Sequence, residues 1–190
     1  MSSQEQKPVK GRIFVVSGPS GVGKSTICRE LVKQLDNIYL SVSTTTREKK
    51  AGEREGKDYH FVSRDEFERQ IKAGNFFEYA EVFGNLYGTP KDKLQQALEQ
   101  GKTAILEIDV QGAQNVKKLY PEAKLIFILP PKQAELQKRI NGRGRDDGKD
   151  AEKRIQGAGA EIAAAWQHYE YMVINDDLEQ AVEEITQIIK

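Results

Sequence analysis

At 190 residues the chain has the length of one domain and can bury on the order of 70% of the surface its unfolded form exposes. Hydrophobic residues make up 38%, charged residues 31%, and 29 Lys plus Arg balance 29 Asp plus Glu, which fits a globular protein and argues against one that coats nucleic acid. The single cysteine, Cys28, excludes an internal disulfide and a cysteine-based metal site; no apolar run approaches the roughly 20 residues of a membrane span, and the polar Met1–Lys10 does not read as a signal peptide, so a cytoplasmic enzyme is expected.

In chain order, residues 1–10 are expected to form a disordered leader, and Arg12-Ile-Phe-Val-Val-Ser17 is a short β-branched run of the kind found in strands buried on both faces. Gly18-Pro-Ser-Gly-Val-Gly-Lys24-Ser25 follows, with the spacing G-x-x-x-x-G-K-[ST]; Ile27, Leu31, Val32 and Leu35 then recur at helical spacing. The flanking strand and helix are the context this motif needs. Glycines at 18, 21 and 23 reach backbone conformations closed to residues with a Cβ, so successive N–H groups can turn inward around phosphate oxygens. The helix N-terminus adds its unpaired N–H groups and positive dipole end. Lys24 is placed to reach β- and γ-phosphates, and the Ser25 hydroxyl to ligate Mg2+. Cys28, on that helix, is expected to be a small buried apolar residue.

Tyr39–Ser43 alternates like a half-exposed strand, and Thr44–Asp58 is polar with turn signals at Gly52 and Gly56. Ser63-Arg-Asp-Glu66 is a capping box opening a short helix that stops at Gly74. Phe76–Phe83 is strand-like, Gly84-Asn85 a turn, and Thr89-Pro90 the start of a helix to Gln100. Buried strands are expected at 103–108 and 124–129, with helices at about 111–119, 132–141, 150–169 and 178–189 and a short strand at 171–174. The stretch 141–148 is too polar and glycine-rich for core, and cations cluster at 138–145, where a small anionic substrate of a neutral protein would need them. Strands alternating with helices imply a parallel sheet covered on both faces, with ligands beyond the carboxyl ends of its strands.

Several separate stretches then resemble the guanylate kinase family, whose reaction moves the γ-phosphoryl group of ATP to GMP. The resemblance spans residues 12–189. Its markers are Ser17–Ser25, Ser43-Thr-Thr-Thr-Arg47 with Gly52-Glu53 and Asp58-Tyr59, Gly84–Thr89, Glu107-Ile-Asp109-Val-Gln-Gly112, Lys138-Arg139 with Gly142-Arg143-Gly144, and Asn175-Asp-Asp177. It implies an α/β fold: a P-loop-type parallel sheet with helices on both faces, a small mixed α+β GMP-binding insert and a mobile lid. The implied core covers 11–37, 91–138 and 156–190, the insert 38–90 and the lid 139–155.

The resemblance also implies a set of site residues. ATP falls to Gly18, Pro19, Ser20, Gly21, Val22, Gly23, Lys24, Ser25 and Thr26, with Asn175 near the adenine, although capping of the last helix explains the 175–177 stretch equally well. In the acceptor site Glu78 and Asp109 would accept from the guanine N1–H and N2 amino group while the hydroxyls of Ser43 and Thr89 donate to O6; adenine offers no matching pattern. Arg47, Lys50, Tyr59 and Tyr87 would hold the acceptor phosphate. Lys50 stands where relatives carry arginine and gives up the bidentate fork. Mg2+ would be served by Ser25 and Glu107, the division of labour between Glu107 and Asp109 being the least fixed part. Arg139, Arg143 and Arg154, with Lys24 and Arg47, would spread charge over the transferring group. ATP and GMP (with dGMP) are the implied substrates and no general base is required, because the GMP phosphate is mostly dianionic at pH 7. Two rival readings are disfavoured: peptide-binding relatives have lost parts of the loop and lid, and Glu78 with Asp109 argues against another acceptor nucleotide.

Overall fold

The computed structural model describes residues 11–132, 134–136 and 148–190, with the backbone alone for 148–156. The expected leader 1–10, Arg139, Arg143 and the lid stretch 139–147 lie outside the described residues, as do the side chain of Arg154 and most of the helix expected over 132–141; residues 134–136 are helical.

Nine strands and six helices are described: β1 (Arg12–Ser17), α1 (Lys24–Gln34), β2 (Ile38–Leu40), β3 (Thr44–Thr45), β4 (His60–Phe61), α2 (Arg64–Lys72), β5 (Phe76–Val82), β6 (Asn85–Pro90), α3 (Lys91–Glu99), β7 (Thr103–Glu107), α4 (Val110–Leu119), β8 (Lys124–Leu129), α5 (Gly148–His168), β9 (Tyr171–Ile174) and α6 (Leu178–Ile189). They form two sheets, one of five strands in the order β2-β7-β1-β8-β9 and one of four in the order β4-β3-β6-β5.

Every pairing in the five-stranded sheet is parallel, with β1 at its centre between β7 and β8. The all-apolar interior of β1 is explained by that position, since alternate residues point to opposite faces and both are covered. Phe14 and Val16 join Ile27 and Leu31 of α1 and Val182 and Ile185 of α6 on one face. Ile13 and Val15 join Leu94 of α3 and Ala113 and Val116 of α4 on the other. Truncating one of these fully buried leucines or isoleucines to alanine costs about 2–5 kcal/mol. Cys28 is buried among the first set, as its sequence position suggested, and burial pushes its thiol up.

The four-stranded sheet is mixed: β3 pairs parallel with β4 and antiparallel with β6, which pairs antiparallel with β5. It begins at β3, later than the residue 38 boundary expected for the insert, because Ile38–Leu40 pairs with β7 in the large sheet. The β5–β6 turn is Phe83-Gly84, one residue earlier than expected, with φ of 50° and 81° and Val82 opposite Asn85. Two positive φ values are what a two-residue primed hairpin demands. A phenylalanine in the first position is strained, by roughly 1–3 kcal/mol for a residue held in a sparsely populated region.

The open edge of β5 is covered by α4. Gln111 and Asn115, one turn apart, donate from their side-chain amides to the carbonyls of Glu81 and Tyr79. The edge is thereby protected from pairing with other chains. It also makes α4 a member of both halves of the molecule, packed on β1 by one face and bonded to β5 by another.

Candidate active site

Residues at the carboxyl ends of β1 and β7 and residues of the small-sheet region line a cleft of about 580 Å3, within the usual range for small-molecule sites. Gly18, Ser20, Gly21, Gly23, Lys24, Ser25 and Thr26 form one pole of its lining. Ser43, Arg47, Lys50, Tyr59, Glu78 and Tyr87 form the other, with Glu107 and Asp109 between them.

At the loop pole, Gly18, Gly21 and Gly23 have φ of 147°, 86° and 109°. Both values and spacing match a loop that turns its amides inward. The Lys24 ammonium donates to the loop's own carbonyls, Gly18 O at 2.6 Å and Pro19 O at 3.1 Å. Val22 is wholly buried, so it shapes the loop from inside and leaves the lining to its neighbours. Asn175 lies behind the loop, outside the lining of the cleft. Its side chain is buried beneath the loop, donates to Val22 O at 2.7 Å and occupies the space a Cβ on Gly23 would need. The helix-capping role in that stretch belongs to Asp177, which accepts from Gln180 N at 2.9 Å.

Ser25 Oγ donates to Glu107 Oε1 at 2.6 Å, joining the loop to the end of β7. The Ser25 hydroxyl and the Glu107 carboxylate set two oxygens side by side, the ligand chemistry that suits Mg2+. Asp109 caps α4, accepting from Gln111 N at 2.7 Å and Gly112 N at 3.3 Å while still lining the cleft. Beneath this junction Ser17 Oγ donates to Ile108 O at 2.7 Å.

At the other pole Glu78 is only 6% exposed, and Thr89, fully buried beside it on β6, donates its hydroxyl to Glu78 Oε1 at 2.6 Å. A hydroxyl has one proton to give, so in this arrangement Thr89 serves Glu78 and offers none to an O6 above it. Burial pushes the Glu78 carboxyl up to about 7, the Thr89 bond opposing and the Asp109 charge reinforcing that shift. Arg47 is held on three sides. Its guanidinium donates to Glu53 Oε1 at 2.8 Å and to Glu48 O at 2.6 Å, and it stacks over Tyr59 and Phe61 at 5.4 and 5.9 Å from their centroids. Glu53 also accepts from Lys50 N at 2.8 Å, so one carboxylate fixes both cationic positions. The rings of Tyr59 and Tyr87 meet edge to face, 6.0 Å apart, and burial pushes the Tyr59 hydroxyl well up.

Sequence reasoning missed several groups that line this cleft. Glu161 enters from α5; burial and the Asp109 charge push its carboxyl up, and Lys24 opposes them. Its signal was its spacing, two helical turns after Arg154 on the same stripe of one helix. Arg29 of α1 pairs with Asp58 of the small-sheet region at 2.8 Å, a link across sequence that no local pattern announces. Phe83, 54% exposed, reaches the cleft from its strained hairpin, and its ring edge lies where a side chain on Gly157 of α5 would begin, 3.3 Å from that Cβ position.

A phosphate-cradling loop at the carboxyl edge of a parallel sheet, facing a second polar pole that ends in a buried carboxylate, defines a phosphate-loop nucleotide kinase. The family model described as Guanylate kinase matches residues 10–190. A guanylate kinase of Carboxydothermus hydrogenoformans is 48% identical over 181 residues, covering 95% of this chain and 88% of that protein. One from Clostridium acetobutylicum is 50% identical over 180 residues, covering 95% and 85%. Among solved structures, guanylate kinase from Anaplasma phagocytophilum superposes with a TM-score of 0.80 at 38% identity, over 95% of this chain and 85% of that one. The chain belongs to the guanylate kinase family, and its reaction is phosphoryl transfer from ATP to GMP. No helix among the described residues is long and apolar enough to cross a membrane.

Proposed function

We propose that the cleft works as two facing nucleotide seats, ATP phosphates in the Gly18–Thr26 loop and GMP against the small sheet, with dGMP accepted as well. The observation that carries this is the single cavity in which Lys24 and Ser25 face Arg47, Tyr59, Tyr87 and Glu78.

At the donor seat the loop amides and the α1 N-terminus take the phosphate oxygens. Lys24 leaves the two loop carbonyls it now serves and moves to the β- and γ-phosphates, exchanging neutral acceptors for charged ones. Mg2+ fits beside Ser25 and Glu107, whose oxygens already meet at 2.6 Å. Ser25 and Glu107 would hold the ion as part of a shared site with the substrate phosphates, the mode Mg2+ commonly takes. When bound it neutralises charge on the transferring group. Asn175 acts from below, holding the loop's shape through Val22 O rather than touching adenine.

At the acceptor seat Glu78 and Asp109 take the guanine donors, and Ser43 faces O6 with Thr89 steadying Glu78 from behind. Arg47, Lys50, Tyr59 and Tyr87 hold the GMP phosphate, with Glu53 keeping Arg47 in place until that anion arrives. The attacking oxygen belongs to a phosphate that is mostly dianionic at pH 7, so no side chain has to remove a proton. Catalysis is then alignment of two anions for in-line transfer, with Lys24 and the arginines at 139, 143 and 154 spreading the developing charge. Closure of the small-sheet region (44–90) and the lid (139–155) over the paired substrates excludes water that would otherwise hydrolyse ATP.

A coupled ADP-release assay with GMP, dGMP, AMP and UMP as acceptors, with and without Mg2+, tests this reading. Turnover with GMP above dGMP, far above AMP and UMP, and abolished by chelation, is expected. Comparable rates with AMP, or metal-independent turnover, refute the seat assignments.

A further inference from the structure

We propose that Gly112 is a specificity-positioning residue: the side chain it lacks makes room on α4 for the carboxylate of Glu78. The inference rests on the reading of Glu78 as the guanine acceptor, and it names a residue that touches no substrate.

Three elements converge on this carboxylate. Glu78 projects from β5, Thr89 of β6 donates to its Oε1 at 2.6 Å, and the other oxygen, Oε2, lies 2.9 Å from where a Cβ on Gly112 would stand. Two further atoms crowd the same position: Glu78 Cδ at 3.5 Å and Ile108 Cδ1 at 3.3 Å. The carboxylate is therefore clamped between a hydroxyl on one side and bare helix backbone on the other. The clamp is held in register by α4 itself, whose Gln111 and Asn115 bond the carbonyls of Glu81 and Tyr79 along the same strand.

Glycine is a poor helix former, costing about 0.8–1.0 kcal/mol relative to alanine inside a helix. Gly112 is the third residue of α4 and is buried, so its backbone is helical without needing glycine's freedom. Local stability favours alanine there. The only neighbours an alanine would meet too closely are the far end of Glu78 and a terminal methyl of Ile108, both able to move by a few tenths of an ångström. The fold tolerates the methyl group, and the carboxylate gives way. A displacement of that size lengthens the 2.6 Å bond from Thr89 and moves the carboxylate away from the place where it would meet the purine, while leaving the donor seat untouched.

The test is Gly112→Ala, Glu78→Gln and the double variant, each assayed for kcat and KM with GMP, AMP and ATP and for thermal midpoint. For Gly112→Ala the expectation is a rise of about tenfold in KM for GMP and a similar loss of GMP-over-AMP selectivity. Its KM for ATP should be unchanged and its thermal midpoint at or above that of the parent. In the double variant, adding Gly112→Ala to Glu78→Gln should cost less than about twofold further, because both act through one carboxylate. Parent-like GMP kinetics in Gly112→Ala, with Glu78→Gln impaired, overturns the role of Gly112 alone. Additive losses in the double variant, or an unfolded Gly112→Ala, also overturn it, since then the glycine serves packing. Unchanged selectivity in Glu78→Gln overturns the underlying reading of Glu78 whatever Gly112→Ala does.

Discussion

Replacing Glu78 by glutamine should stabilise the free enzyme increasingly as pH rises. The Glu78 carboxyl sits at about 7 against an ordinary 4.5, a gap of about 2.5, because burial disfavours its charge. At ~1.4 kcal/mol per pH unit, that gap means ionising Glu78 in the folded state costs about 3 kcal/mol more than in the unfolded chain. For an acid raised by folding, this penalty is absent well below pH 4.5, accumulates between 4.5 and 7, and is complete above 7. Glutamine keeps the shape and an oxygen for the Thr89 hydroxyl but has no charge to bury. Its own packing offset, whatever its sign, does not change with pH. The stability difference between variant and parent should therefore grow by about 2.5 kcal/mol from pH 5 to pH 8. Urea unfolding at pH 5, 6, 7 and 8 measures it directly. Parallel stability profiles, with a difference constant to within about 0.5 kcal/mol, refute the claim that a strained carboxylate is kept for the purine.

The remaining predictions concern separate contacts. If ionised Glu78 is the form that accepts from guanine, KM for GMP should rise about tenfold as pH falls from 8 to 6 and stay much flatter in Glu78→Gln, which controls for titration of GMP itself; equal slopes in the two proteins exclude that role. Asn175→Ala leaves Val22 O without this partner inside the loop, a loss of about 1–3 kcal/mol for a buried polar group, so KM for ATP should rise with KM for GMP little changed, and the reverse pattern contradicts it. Phe83→Asn places the residue a primed turn prefers at φ of 50° and should stabilise the protein by about 1 kcal/mol, read as a higher thermal midpoint; a lower one would mean that the ring's contact at Gly157 outweighs the strain.

The chain announced its parallel core because burial on both faces leaves an unbroken apolar run, as in Phe14–Val16 and Leu125–Ile128. The phosphate loop was equally legible, since glycine spacing and the Lys-Ser pair encode backbone geometry locally. The small sheet was harder. Thr44–Thr45 and His60–Phe61 are two-residue strands, too short for any periodicity, and their pairing is set by partners distant in sequence, β6 for the first and β3 for the second. The β6 sequence reads as a turn and a helix start, because Pro90 both ends the strand and caps α3. Only half of the capping box expected at Ser63 forms: Ser63 Oγ accepts from Glu66 N at 3.2 Å, but the Glu66 carboxylate turns to Gln70 and Arg69. The bond from Asn175 to Val22 O is not legible for a similar reason, since a motif shows which residues recur together but not which way each faces.

That asparagine carries a consequence for how the protein comes to life. Its amide ties Val22 to a position 153 residues further along the chain, just past the end of β9, the last of the five parallel strands to be synthesised. A ribosome-bound nascent chain will have made the glycine-rich segment early and yet lack the peg that sets its curvature. Affinity for ATP should thus appear late in translation, only once the ninth strand has emerged and docked.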